Sequence, residues 1–271
     1  MAQFSEISEA DAPDNIREIC TDIRACLGAP MVNLVYRHMA TIPGCLEWGW
    51  GTLRPLFASG MIPDAAAEIT RNVNLPPMEP IPRAMLDAAV PNKPDQAAVV
   101  ATLESYNRAN PMNLIALEVL RLSMAHGPRG PVPASETQTP ATAWKLPAMV
   151  DPASVDPVTA KQLDILARQG TGGPDGVVPS LYRHLAHWPD LLTLVTRSTE
   201  DLFERADFGG LCGALEIRAT EAAGRLPRPD PGLPAPDKAQ SDGIMALIGF
   251  FPTAICRMIV IGAWLRRNLP V

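Results

Sequence analysis

The sequence lacks most of the usual carriers of chemistry. No C-x-x-C pair occurs among its five cysteines (Cys20, Cys26, Cys45, Cys212 and Cys256), which excludes thioredoxin-like redox chemistry and Cys-rich zinc sites together. The four histidines (His38, His126, His184 and His187) show no H-E-x-x-H spacing and no surrounding carboxylates, so no metal site is expected. No basic run appears in a chain of net charge −6, which argues against nucleic acid and anionic membrane surfaces as partners. The N-terminal stretch "MAQFSEISEADAPDN" is acidic and polar where a signal peptide would be basic and then apolar, and a cytoplasmic location is expected. Alternating strand patterns of useful length are also missing, which leaves an all-α chain. The cysteines, odd in number and embedded in apolar pattern, read as reduced and buried.

What is present is a repeat. "LVYRHMATIPGCL" from Leu34 and "SLYRHLAHWPDLL" from Ser180 share Tyr36, Arg37, His38 and Pro43 with Tyr182, Arg183, His184 and Pro189. The neighbouring pieces follow in the same order. An amphipathic helix (Ile16, Ile19, Cys20, Ile23, Leu27) ends at Gly28, matched by Leu163 and Leu166 before Gly170, with Asp14 and Asp156 as expected N-caps. Pro43 and Pro189 suit the first turn of a following helix, whose second copy buries Leu191, Val195 and Leu202. "LPPMEPIP" and "LPRPDPGLP" then read as turns.

Each half closes on a long apolar helix. The second, over 244–265, is long enough to span a bilayer, yet it carries Arg257 near its centre, where a charge costs roughly 3 kcal/mol on insertion scales. Its first-half counterpart holds Glu104, Asn107, Arg108 and Asn110, so both are expected as buried core helices and no membrane partner is expected. The Pro-rich stretch 127–150 reads as a linker between repeats over 1–126 and 151–271. The expected architecture is all-α, two similar helical repeats packed as an intrachain pseudo-dimer, with a pocket between them. That duplication already supplies a two-fold interface and leaves a homodimer open.

The order of "YRHMATIPG", "YNRANPMNLI", a linker ending "VDP" and "LYRHLAHWPDLLTLV" resembles the group I 2-haloacid dehalogenases over most of the chain. The resemblance implies a cofactor-free hydrolysis in which an aspartate deprotonates a water that attacks Cα of a 2-halo acid, displacing halide with inversion. It places that base directly after a serine and ahead of a Trp-Pro pair. Here the serine is Ser180, the pair is Trp188 and Pro189, and the base position falls at Leu181, which has no ionisable group.

Other positions carry over singly. The resemblance matches an asparagine before proline to Asn110, a tyrosine to Asn113, and an aromatic wall to Met31 and Leu34 with Asn33 between them. A threonine and a glutamate fall at Ser59 and Pro63. The resulting pocket has lost fixed negative charge and aromatic bulk, so it is expected to be wider and to admit anions.

Two residues are candidates for a replacement base. Asp175 follows a Gly-Pro pair in "GTGGPDGVVP" but also reads as an ordinary turn aspartate beside Gly176. His184 lies one helical turn from Leu181, yet His38 matches it in the first half, which favours a scaffold role. His187 reads as a helix-end residue. Arg37 and Arg183 suit either a carboxylate clamp or, more simply, salt bridges between helices. Ser180 has no acid placed to complete a triad. The functional expectation is a diverged hydrolase or lyase acting without cofactor or metal on a small-molecule ligand such as a carboxylic acid. The alternative is an inactive relative that binds such a ligand in the inter-repeat pocket.

Overall fold

The computed structural model describes residues 4–7, 11–71, 73–133, 145–171 and 177–269. Its helices are α1 (Asp14–Leu27), α2 (Leu34–Met39), α3 (Cys45–Ala58), α4 (Met61–Thr70), α5 (Arg83–Ala89), α6 (Lys93–His126), α7 (Pro157–Thr171), α8 (Ser180–Leu185), α9 (Pro189–Ser198), α10 (Ala206–Arg225) and α11 (Lys238–Asn268). There is no strand among the described residues, only an isolated bridge between Arg129 and Arg228.

α6 and α11 are the central pair, packed along each other, with α4 and α10 against α6 and α7 against α11. From Ala109 to Leu120 every residue of α6 is buried, Asn110, Asn113 and Glu118 among them, as befits a predominantly apolar helix at the centre of the fold. The pair approaches closely at Gly262. Asn107 Nδ2 donates to the Gly262 carbonyl at 3.2 Å, and a Cβ there would run into the Asn107 amide. α11 is apolar and long enough to cross a membrane, and over half of its most apolar window is buried against the rest of the chain. Arg257 on this helix donates to the Gln169 carbonyl and sits over the Phe203 ring, 5.7 Å from its centroid.

All five cysteines are free and buried, and burial raises the Cys45 thiol to about 12 and the Cys212 thiol to about 11. The ends of α6 and α11 are capped by residues the repeat did not single out. Asn92 accepts from Asp95 N at 2.8 Å, and Asp237 forms a capping box with Gln240.

Several local expectations are corrected. Gly28 does end α1 in the left-handed region (φ 60°), but Gly170 lies within α7, buried where a Cβ would press on Pro179. Asp156 caps α7, accepting from Thr159 N and Val158 N, whereas the residue before α1 is Pro13 and Asp14 is already helical. Pro189 opens α9. Before α3, however, Gly44 (φ 74°) intervenes after Pro43. Leu202 is buried in a short 3-10 turn beyond the end of α9. Of the linker, only residues 127–133 and 145–150 are described, and they contain no helix.

Candidate functional site

A cavity of about 60 Å³ lies where the N-terminus of α2, the middle of α6, the α7–α8 connection and α11 meet. Counting roughly 10–15 Å³ per water-sized probe sphere, it holds about four to six heavy atoms' worth of ligand or water. Asn33, Leu34 and Val35 enter from α2, and Tyr106, Asn110 and Asn113 from one face of α6 at spacings of four and three residues. Pro179, Ser180 and Leu181 enter at the start of α8, with Thr171 and Val177 flanking. Phe250, Phe251, Ala254, Ile255 and Met258 close it from α11. Segments from before and after residues 127–150 therefore line one space.

The polar atoms define its chemistry. Asn113 Oδ1 accepts from the Tyr36 hydroxyl at 3.0 Å, while Asn113 Nδ2, Asn110 Nδ2 and Asn33 Oδ1 are buried without a protein partner. An unpartnered buried polar atom costs about 1–3 kcal/mol, so three in one small cavity mark a space shaped for a polar occupant. No carboxylate lines it among the described residues. Nor do the described residues hold any cluster of three or more metal-ligating side chains.

His184 stands one layer behind the wall. Its Nδ1 lies 2.8 Å from the Tyr106 hydroxyl and 3.2 Å from the Ser180 carbonyl. Burial pushes the imidazole down to about 4, so it is neutral at physiological pH and a weak base. Burial likewise raises the Tyr106 phenol, leaving that hydroxyl protonated. Beside this layer, Arg37 Nη1 and Arg183 Nη1 meet the two oxygens of one carboxylate, Glu6, at 2.8 and 2.9 Å. The expected salt bridges between helices are therefore replaced by a shared bridge to the N-terminal segment.

No family model matches the chain. A configuration-inverting 2-haloacid dehalogenase from Alcaligenes xylosoxydans xylosoxydans is 26% identical over 201 residues, which span 72% of this chain and 68% of that protein. This relative agrees with the resemblance to the group I 2-haloacid dehalogenases read from the sequence. Solved structures agree on the fold. A D-2-haloacid dehalogenase mutant in complex with D-2-CPA superposes with a TM-score of 0.79 at 17% identity, covering 98% of this chain and 96% of the other. A D-2-haloacid dehalogenase complex with L-LA gives the same TM-score, identity and coverage.

Within this dehalogenase fold, Asn33, Leu34, Asn110, Asn113, Ser180 and Leu181 all line the cavity. Met31 does not: it precedes the α2 N-cap and its buried side chain joins the hydrophobic core instead. His184 is brought near the site but is not part of its wall, and Asp175 lies outside the described residues. Ser59 ends α3 and bonds the Leu56 carbonyl, and Pro63 lies on α4 facing a different groove. His187 is exposed, its Nε2 2.7 Å from the Ala148 carbonyl. The expected loss of aromatic bulk is offset, because Phe250 and Phe251 of α11 join the wall. These, with Tyr106, are what sequence reasoning missed. The available signal was a Phe-Phe pair in a helix read only as core.

Proposed function

We propose that this chain binds a small organic acid in the cavity, with Asn110 and Asn113 donating to its carboxylate and Leu34, Leu181 and Phe251 covering its carbon skeleton. The observation that carries this reading is the set of unpartnered buried amide groups in a cavity whose described lining has no negative charge. An anion entering such a space gains hydrogen bonds from the Asn110 and Asn113 amide nitrogens and meets no fixed negative charge, its carboxylate lying away from the Asn33 Oδ1 acceptor. On this reading the halves flanking the linker are copies of one unit, the ligand sits at their junction, and no cofactor is used. Leu181 stands where the family's base belongs, so water is not activated from that position.

A second reading, hydrolysis through another base, is favoured by the configuration-inverting 2-haloacid dehalogenase relative. Chloride release from racemic 2-chloropropionate separates the two. On the binding reading the wild-type chain releases no more chloride than an Asp175→Asn, His184→Ala control, while Leu181→Asp gains release. Burial at position 181, which is 1% exposed, would raise the new carboxyl toward the range of an effective base. Wild-type release above the control replaces the first reading with the second. Retained 2-chloropropionate binding in Asn110→Leu overturns the placement of the carboxylate.

A further inference from the structure

The N-terminal segment 4–7 lies against the cavity wall from outside. The Phe4 ring sits 4.9 Å from Phe250 and 5.1 Å from Phe251, both lining residues, and stands edge-on to His38 at 4.8 Å. Behind it the Ser5 carbonyl meets His38 Nδ1 at 2.8 Å, and Ile7 N donates to the Arg37 carbonyl at 3.3 Å. Between these contacts Glu6 places one oxygen on each of two guanidinium groups. Arg37 also donates through Nη2 to the Oγ of Ser180, a lining residue, at 3.4 Å.

Two arginines converging on one carboxylate are a carboxylate site with an occupant in place. Their side chains are only 12% and 16% exposed, so the pair is partly withdrawn from water, and Glu6 cancels one of two positive charges. Among the described residues, the occupant belongs to the short segment 4–7, held by the Phe4 ring contacts, apolar packing of Phe4 and Ile7 on the core, two backbone contacts and this bridge. A tethered carboxylate is therefore exchangeable for a free one of the same chemistry.

We propose that Arg37 and Arg183 form a receiving site for small carboxylates at the rim of the cavity, held closed by Glu6, and that an incoming carboxylate displaces Glu6 on its way to the asparagines. This rests on the small-acid reading of the cavity. Displacement makes Glu6 a competitive internal anion, and its removal strengthens ligand capture.

The test is calorimetric titration of the full chain with propionate. Glu6→Gln, which keeps the shape and removes the charge, is expected to tighten binding about threefold to tenfold. The gain is expected to vanish in Glu6→Gln, Arg183→Met, and Asn110→Leu is expected to abolish binding in every background. Unchanged or weaker binding in Glu6→Gln, with Asn110→Leu still abolishing it, overturns the rim site and leaves the cavity reading standing. Tighter binding in Glu6→Gln that survives Asn110→Leu means the arginines bind propionate by themselves. That outcome overturns both the cavity reading and the route through the rim. No propionate binding to any variant, with all of them folded by circular dichroism, overturns both.

Discussion

The two Tyr-Arg-His segments have the same local structure, each a six-residue helix ending at an alanine, yet almost nothing of their chemistry is shared. In α2 the tyrosine hydroxyl bonds Asn113 in the cavity wall, and the histidine is partly open to solvent against Ser5. In α8 the tyrosine hydroxyl is buried without a partner, and the histidine is 3% exposed behind Tyr106. Only the arginines converge, on the one carboxylate of Glu6. A recurring tripeptide fixes backbone and helix face, while the neighbouring elements decide which copy serves the site. The first copy meets the cavity through Leu34 and Val35 and braces Asn113 with its tyrosine, and the second meets it through Ser180 and Leu181.

The largest break in this comparison is expected in acid. The folded pKa of His184, about 4, lies below the ordinary value of 6.5, so the unfolded chain binds more protons between those limits. Stability associated with His184 is therefore full above about pH 6.5, falls as pH drops through that window, and levels off below about 4. At about 1.4 kcal/mol per pH unit, the loss between pH 7 and 4.5 is about 2 kcal/mol. Urea unfolding at the two pH values should show this loss shrinking by that amount in His184→Gln. An undiminished loss would mean that the imidazole is protonated in the folded chain.

The tyrosines should separate next. Tyr36→Phe removes the donor to Asn113 Oδ1 and leaves that buried oxygen unpaired, an expected cost of about 1.5 kcal/mol together with weaker propionate binding. Tyr182→Phe deletes a hydroxyl that has no partner, so stability at pH 7 should be unchanged or slightly higher. Chemical denaturation of the pair measures the contrast. Equal costs would show that the Tyr182 hydroxyl is satisfied in solution, for instance by an internal water.

The difference between the copies marks how far the sequence could be read. Periodicity suffices for α1, α6 and α11, because an apolar face or a long, mostly apolar helix is a local pattern with one burial solution. Six of the seven lining residues expected from the family resemblance do line the cavity, since helix α6 presents Asn110 and Asn113 on one face and the start of α8 presents Ser180 and Leu181. What stayed hidden depends on distant partners. Phe250 and Phe251 look like any core aromatics until α11 is placed, and nothing local links Glu6 to Arg37 and Arg183. The misread caps have a similar cause. Pro13 and Pro82 precede helices that carry no side-chain cap, so an acidic residue near a helix start does not by itself locate the boundary.

The smallest expected effect contrasts the first helices of the two halves. Asp156 precedes α7 and satisfies Val158 N, Thr159 N and the Thr159 hydroxyl, whereas Asp14 is the first residue of α1, pairs with the exposed Arg17 and satisfies no helix N–H by its side chain. The Thr159 hydroxyl and the two backbone donors hold the Asp156 carboxyl below the usual carboxylate range, so its capping is present above that range and is lost as pH falls through the lowered value. Asp156→Ala is expected to lower the thermal midpoint by roughly 2–4 °C at pH 7. Asp14→Ala should move it by less than about 1 °C, because only an exposed ion pair and a helix-dipole contact are removed. Asp156→Asn retains the acceptor oxygen and should recover most of the loss. A matching drop in Asp14→Ala would place an unrecognised cap at the start of α1 and make the two halves more alike than their side chains indicate.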